Sequence, residues 1–208
     1  MMRFFACLCL LVAATLAGGC ATGRPLEITP VGAKAAAVQP KFTDATYRSD
    51  RDGTMFVVMR STDIDRATGQ TVEQIMTMRI FWRPIGGRTS LNPTSLNATF
   101  RYIVITPGAA GMYEGAGFVR LSGRDGKAKT LRLLDGDLRL SEATRDFVDN
   151  LRRSTIKGNI TARYDDSTTY EALANAQRDF FAKTLALGKK PIDPPTTAPA
   201  ATNPATAP

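Results

Sequence analysis

Carboxylates come in close pairs at several points of this chain, and paired carboxylates can hold a divalent cation or divide acid and base roles. Asp63-x-Asp65 followed by Gly69 has the opening of a calcium loop. An EF-hand loop needs further oxygen ligands and a glutamate at its twelfth position. Counted from Asp63 that position is Gln74, so the pair reads as a turn and no metal site is expected. Asp135 with Asp137, and Asp165 with Asp166, stand where turns and helix starts favour aspartate. A carboxylate pair for glycoside hydrolysis needs a cleft that holds the acids ~5–10 Å apart. Gly108-Ala-Ala-Gly111 and Gly115-Ala-Gly117 form a glycine-rich stretch whose flanks both read as strands, whereas a phosphate cradle leads into a helix. Trp82, Tyr102 and Tyr113 with Arg79, Arg83 and Arg101 suggest rings stacked beside cations, as in polyanion or sugar grooves. Trp82 falls on the apolar face of its strand and is expected in the core.

Histidine is absent from the 208 residues, and the cysteines are Cys7, Cys9 and Cys20. The absence removes Ser-His-Asp and Cys-His arrangements, His-based zinc motifs and the commonest base near neutral pH. No catalytic residue, metal or cofactor is expected. The formal charge is +8, one less without Arg3, with bases interleaved among acids along the chain. That pattern reads first as a solvated surface, and second as attraction to anionic polymers or headgroups.

The first twenty residues say where such a domain works. Arg3 gives a positive start, Phe4 to Ala17 form an apolar run broken by Thr15, and Leu16-Ala17-Gly18-Gly19 leads into Cys20. This is the layout of a secretory signal. The run is short of the ~20 residues that span a membrane. Small residues directly before a cysteine make this stretch resemble the lipobox of bacterial lipoproteins, although the family's usual leucine position is Ala17, with Leu16 one place earlier. The resemblance implies cleavage before Cys20, a diacylglyceryl thioether on its sulfur and acylation of the new amine. Cys20 is therefore the expected lipidation site. Ala21 in place of an aspartate leans towards the outer rather than the inner membrane. The alternative is an ordinary cleaved signal with Cys20 merely near the cut. Cys7 and Cys9 would leave with the signal, so the folded part has no disulfide and relies on its apolar core.

The elements that must carry these groups read as follows. The signal is 1–19, and 20–40 is the lipidated cysteine with a flexible Pro/Gly/Ala tether reaching on the order of 25 Å. A β-rich domain covers 41–188, and 189–208 is a disordered Pro/Thr/Ala tail. Within the domain, Phe42–Arg48, Met55–Arg60, Val72–Trp82, Leu96–Thr106, Gly115–Ser122, Lys129–Leu134 and Ser154–Asp165 read as strands. In Val72–Trp82, Val72, Met76, Met78, Ile80 and Trp82 share one face, and Arg79 and Phe81 point the other way. Arg124-Asp125-Gly126-Lys127 suits a tight hairpin. Asp135-Gly136 either closes a second hairpin or lies in one long bulged strand. Gly158, inside the cleanest alternation, signals a bulge or a close neighbour. Ser141 to Arg153 reads as a short helix capped by Ser141. A capping box at Thr168–Glu171 starts a second helix, ended by Gly188, with Tyr170, Leu173, Phe180, Phe181 and Leu185 on its apolar face.

The fold expected is mainly β: an antiparallel β-sandwich of six to eight strands with a C-terminal helix, or alternatively an α+β fold with one sheet under two helices. The function expected is a lipid-anchored envelope module that binds a protein, glycan or lipid partner without catalysis, and no nucleic acid. The alternative is a carboxylate-dependent hydrolase of envelope glycan, which a cleft with two perturbed acids would favour; a continuous aromatic or apolar patch would favour the binder. A third reading, lipid carriage, needs an internal apolar cavity.

Overall fold

The computed structural model describes residues 24–32, 37–65, 68–83 and 96–192. Arg3, Cys7, Cys9 and Cys20, and the tail from residue 193 on, lie outside the described residues.

Eight strands and one helix follow in order: β1 (Glu27–Pro30), β2 (Asp44–Ser49), β3 (Met55–Ile64), β4 (Thr71–Ile80), β5 (Ala98–Ile105), β6 (Ala110–Ser122), β7 (Lys129–Ala143), β8 (Ser154–Tyr164) and α1 (Asp166–Leu187). The chain is mainly β, as its alternating pattern predicts, but the sandwich expectation is corrected. Strands β2 to β8 run up and down and close on themselves as a seven-strand barrel. With an odd number of strands in such a meander, the first and last must run the same way. The closing pair β2–β8 is accordingly parallel, through Thr46↔Arg163 and Tyr47↔Tyr164, while each other pairing is antiparallel.

That seam is short. Its ends are tied by the Asp165 amide donating to the Tyr47 carbonyl at 3.0 Å and by Tyr47 and Tyr164 meeting edge to face at 5.4 Å. The other half of the β8 edge would be left unpaired, a liability for any sheet. Strand β1 covers it, from Glu27↔Lys157 to Pro30↔Ser154. The stretch expected as a free tether therefore contains a strand of the fold. Gly158 is the reason β1 can lie so close: a Cβ there would stand 2.5 Å from the Pro25 carbonyl oxygen. The close neighbour foreshadowed by Gly158 is β1 itself.

The barrel interior is filled by side chains. Met55, Met59, Met76, Met78, Phe100 and Tyr102 are among those with 2% exposure or less, and unbranched methionines adapt to the uneven space a barrel encloses. Lipid carriage, which needs an open interior, finds no support in this packing. Trp82 is the exception to the inward set of β4. It is 38% exposed beyond the end of the strand, edge to face on Phe118 at 5.9 Å, because the ladder ends at Ile80 and the chain leaves the barrel.

Strand β7 settles the Asp135-Gly136 question as one long irregular strand, with breaks of register against β6 and β8. Gly115 belongs to this irregularity, not to a glycine-rich loop: a Cβ there would be 1.7 Å from the Asp137 carbonyl oxygen. The turn lies earlier, where the Thr106 amide donates to Ala109. Gly111, Gly115 and Gly117 are strand residues.

The helix predicted over 141–153 is absent. β7 continues to Ala143, and 144–153 is a bent closure whose Phe147 and Leu151 enter the barrel end. Phe147 meets the Tyr113 ring at 6.2 Å, while Val148, which a helix would have placed beside them, is 68% exposed. The Tyr113 hydroxyl donates to Asp149 at 2.8 Å, and the same carboxylate accepts the Arg152 amide. Among the described residues only one helix covers the sheet, so the two-helix alternative is also corrected.

That helix, α1, is capped by Asp165 rather than by Thr168. Its carboxylate accepts the Thr168 amide at 3.0 Å, which holds the Asp165 carboxyl below the usual range. Thr169, Ala176 and Phe180 are buried, the last two against the outer faces of β3 to β6. They cover Val58, Ile75, Ile103 and Met112, outward-pointing apolar residues that would otherwise face water. Tyr170, Phe181 and Leu185, expected on the packed face, are exposed instead. The stripe that touches the barrel is narrower than the sequence suggests.

Candidate functional site

Beside the helix, the barrel wall carries an unusual row of side chains. Arg48 on β2 stands directly opposite Phe56 on β3, and Phe56 directly opposite Arg79 on β4. Phe81 follows Arg79 two residues on, the spacing that returns a side chain to the same face. The Arg48 guanidinium lies 5.8 Å from both the Tyr170 and Phe56 ring centres. Arg79 lies 5.7 Å from Phe56 and 5.0 Å from Phe81. Rings and cations thus alternate as Tyr170–Arg48–Phe56–Arg79–Phe81 across three strands and a helix. Each such contact is worth about 0.5–1 kcal/mol at an exposed site.

The two arginines differ in their partners. Arg48 is fixed by Asp50 at 2.8 Å and Asp166 at 3.0 Å, and the hydrogen bond it donates to Asp166 is the first reason its pKa is raised further. Arg79 has no carboxylate within 4 Å among the described residues. Its charge helps the Thr54 amide to lower the Asp52 pKa, but no ion pair among the described residues ties it.

Two hollows flank the row on the outer wall, of about 540 and 450 Å³, sharing Phe56, Thr77, Arg101, Glu114 and Leu173. A third, about 780 Å³, lies at the barrel end that carries the β2–β3 and β6–β7 turns, between Arg51, Asp52, Phe81, Trp82, Arg83 and Tyr164. The row leads from the first pair to the third through Phe81.

The carboxylates in these hollows are occupied. Glu114 pairs with Arg101 at 2.7 Å and Glu142 with Lys189 at 3.3 Å. At the barrel end Asp125 joins Arg83 and the almost fully buried Lys129, at 2.8 and 2.7 Å. These hydrogen bonds, Lys129 first, hold the Asp125 carboxyl below its ordinary value. Asp52 is likewise lowered, first by the Thr54 amide. Each displaced carboxyl, Asp165 included, is displaced downward by a turn, a cap or an ion pair. A general acid is made by the opposite shift. Besides Arg48, the raised groups are tyrosines: Tyr102 by burial and then the charge of Asp63, Tyr113 by burial and then its bond to Asp149, and Tyr47 by burial and then the charge of Asp125.

The residues singled out in the sequence scatter accordingly. Asp63 and Asp65 sit at the β3–β4 hairpin, where Asp65 accepts the Thr68 hydroxyl and its carbonyl accepts the Gly69 amide. Asp137 accepts the Ala116 amide within the β6–β7 irregularity. Among the described residues no three His, Cys, Asp or Glu side chains gather as a metal site would require. Of the ring-and-cation group, Arg79, Arg83 and Trp82 are brought to one region, whereas Tyr102 and Tyr113 point into the barrel. The rings that replace them are Phe56, Phe81 and Tyr170. The outward setting of Arg79 and Phe81 is visible in the β4 alternation. The pairing of Arg48, Phe56 and Arg79 is set by register across three strands, which one strand's pattern does not contain.

Compared with known protein families, curated proteins and solved structures, the chain matches none.

Proposed function

We propose that this protein is a lipid-anchored envelope module, attached through Cys20 and leaning towards the outer membrane, that binds or assembles a partner without catalysing a reaction. The observation that carries the reading is the row Tyr170–Arg48–Phe56–Arg79–Phe81, in which Tyr170, Arg79 and Phe81 are exposed and Arg48 and Phe56 half-buried. It offers flat apolar faces for ring-shaped groups and, at Arg79, a cation without an ion pair among the described residues, which can meet an anion. An envelope glycan bearing carboxylates fits that chemistry most directly among protein, glycan and lipid partners. The hydrolase reading lacks a cleft with a raised carboxyl, since Glu114 and Glu142 are paired and the displaced carboxyls are lowered.

Trp82, the single tryptophan, lines the adjoining hollow and reports on it. Titration of the full mature protein with soluble peptidoglycan fragments should change its emission. An Arg79→Ala, Phe81→Ala variant should weaken the response about tenfold, from loss of two contacts and a charge. Emission indifferent to the fragments, with unchanged retention of the variant on cell walls, would remove the binding site. Release of shortened glycan would replace it with the hydrolase.

A further inference from the structure

Among the described residues no element covers the barrel wall away from α1, and its outward residues are of another kind. On the neighbouring strands β6, β7 and β8, Arg120 stands opposite Arg132 and Arg132 opposite Asn159. The Asn159 amide donates to the carbonyl of Arg24 at 2.9 Å, so Arg24 continues the row. Lys157 lies two residues from Asn159 on the same outward set, and Arg124 and Lys127 lie in the β6–β7 turn; all six bases are exposed. Among the described residues none has a carboxylate oxygen within 4 Å. The acids of this region are Asp135, exposed on β7, Glu27, opposite Lys157 but accepting from Thr29, and Asp125, between Arg124 and Lys127 in the turn but held by Arg83 and Lys129. Like charges directly opposed across strands destabilise a sheet. Arg120 and Arg132 are kept there at a cost.

The anchor ends beside this row. Residues 21–23 are all that separates Cys20 from Arg24. Even fully extended, so short a link reaches only about 10–14 Å, well below the reach expected of a free tether through residue 40. β1 is pinned to β8, so the linker cannot lengthen by unravelling without unpairing that strand. A lipid on Cys20 would hold the headgroups no farther than that reach from Arg24, a distance comparable to the Debye length of about 8–10 Å.

Resting on the lipid-anchor reading above, we infer that the β6–β7–β8 wall, through Arg24, Arg120, Arg132 and Lys157, docks on the anionic headgroups of the membrane that holds the anchor. The barrel then lies on its side. The row built on β2, β3 and β4 occupies the opposite wall and is held outward, towards the envelope partner.

The test uses full-length mature protein reconstituted in vesicles, with its lipid mass confirmed first. A single thiol is introduced at exposed Thr130 on the basic wall, or at exposed Ala174 on α1, and its reaction with a bulky maleimide is timed. In phosphatidylglycerol vesicles Thr130→Cys should react about tenfold more slowly than in phosphatidylcholine vesicles, and Ala174→Cys equally in both. Adding Arg120→Glu and Arg132→Glu should abolish that protection, since each base near an anionic surface is worth about a fivefold factor. Full lipid mass with equal Thr130→Cys rates in the two lipids would overturn the docking and leave the anchor standing. A chain without lipid on Cys20 would overturn the anchor reading and the docking with it.

Discussion

The two walls of this barrel enclose the same kind of interior and differ in what they turn outward. On β3 to β6 the outward residues Val58, Ile75, Ile103 and Met112 are apolar, and α1 lies over them. On β6 to β8 the outward residues Arg120, Thr130, Arg132 and Thr161 are polar or charged, and no element of the described chain covers them. Barrel closure satisfies the backbone on both sides equally. The helix goes where burial is favourable, each covered aliphatic side chain contributing about 1.5–3 kcal/mol. The difference divides the molecule into a wall built for packing and ring stacking and a wall whose bases Arg24, Arg120, Arg132 and Lys157 form no ion pair among the described residues.

The contrast can be broken hardest on the covered wall. Phe180 is 1% exposed between α1 and the barrel. Phe180→Ala should cost about 3–5 kcal/mol in urea unfolding, from lost transfer energy and the cavity left behind. A loss under 1 kcal/mol would mean that the helix is a loosely held appendage.

A second prediction concerns Asp125, which joins Arg83 from the end of β4 to Lys129 on β7 and so links the two sides. Its folded pKa lies below the ordinary 3.8. The ion pairs therefore contribute fully above that value, and their contribution is lost as pH falls below it through the lowered folded pKa. Asp125→Asn should lower the urea midpoint at pH 7 and remove that part of the acid dependence. Parallel curves for the two proteins between pH 5 and pH 2 would contradict it.

The smallest effect sharpens the comparison most. Arg132→Glu replaces a like-charge neighbour of Arg120 with an opposite one and should stabilise the barrel by about 0.5 kcal/mol, read as a slightly raised urea midpoint. The same change should weaken the docking proposed for this wall. Destabilisation instead would mean that Arg132 is already satisfied within the fold.

Much of this could be read along the chain. The alternation Ile156, Gly158, Ile160, Ala162, Tyr164 reports the buried face of β8 as far as Ala162 without any partner in view, whereas Tyr164 at its end is exposed. The Asp-Gly turn at 125–126 and the Gly188 cap are local conformational demands, met in the β6–β7 turn and by φ 77° at Gly188. Phe147 and Leu151 mislead for an instructive reason: their spacing suits a helix face, but it also suits two side chains dropped from a bent segment into the barrel end. Trp82 fails because strand parity persists on paper after the ladder has stopped.

The sequence by itself determined the strand-rich class, the run and C-terminal end of the helix, the outward setting of Arg79 and Phe81, and the absence of His- and Cys-based chemistry from the domain. Those properties depend on residues within a few positions of one another. Only the tertiary structure decided that the sheet closes as a barrel, because inward and outward alternation is the same in a sandwich and closure rests on the short β2–β8 seam. It also decided that the expected tether contributes β1, and that Arg48, Phe56 and Arg79 stand in one row. Pairing of distant strands fixes these features, and a one-residue change of register would turn the same side chains to the other face.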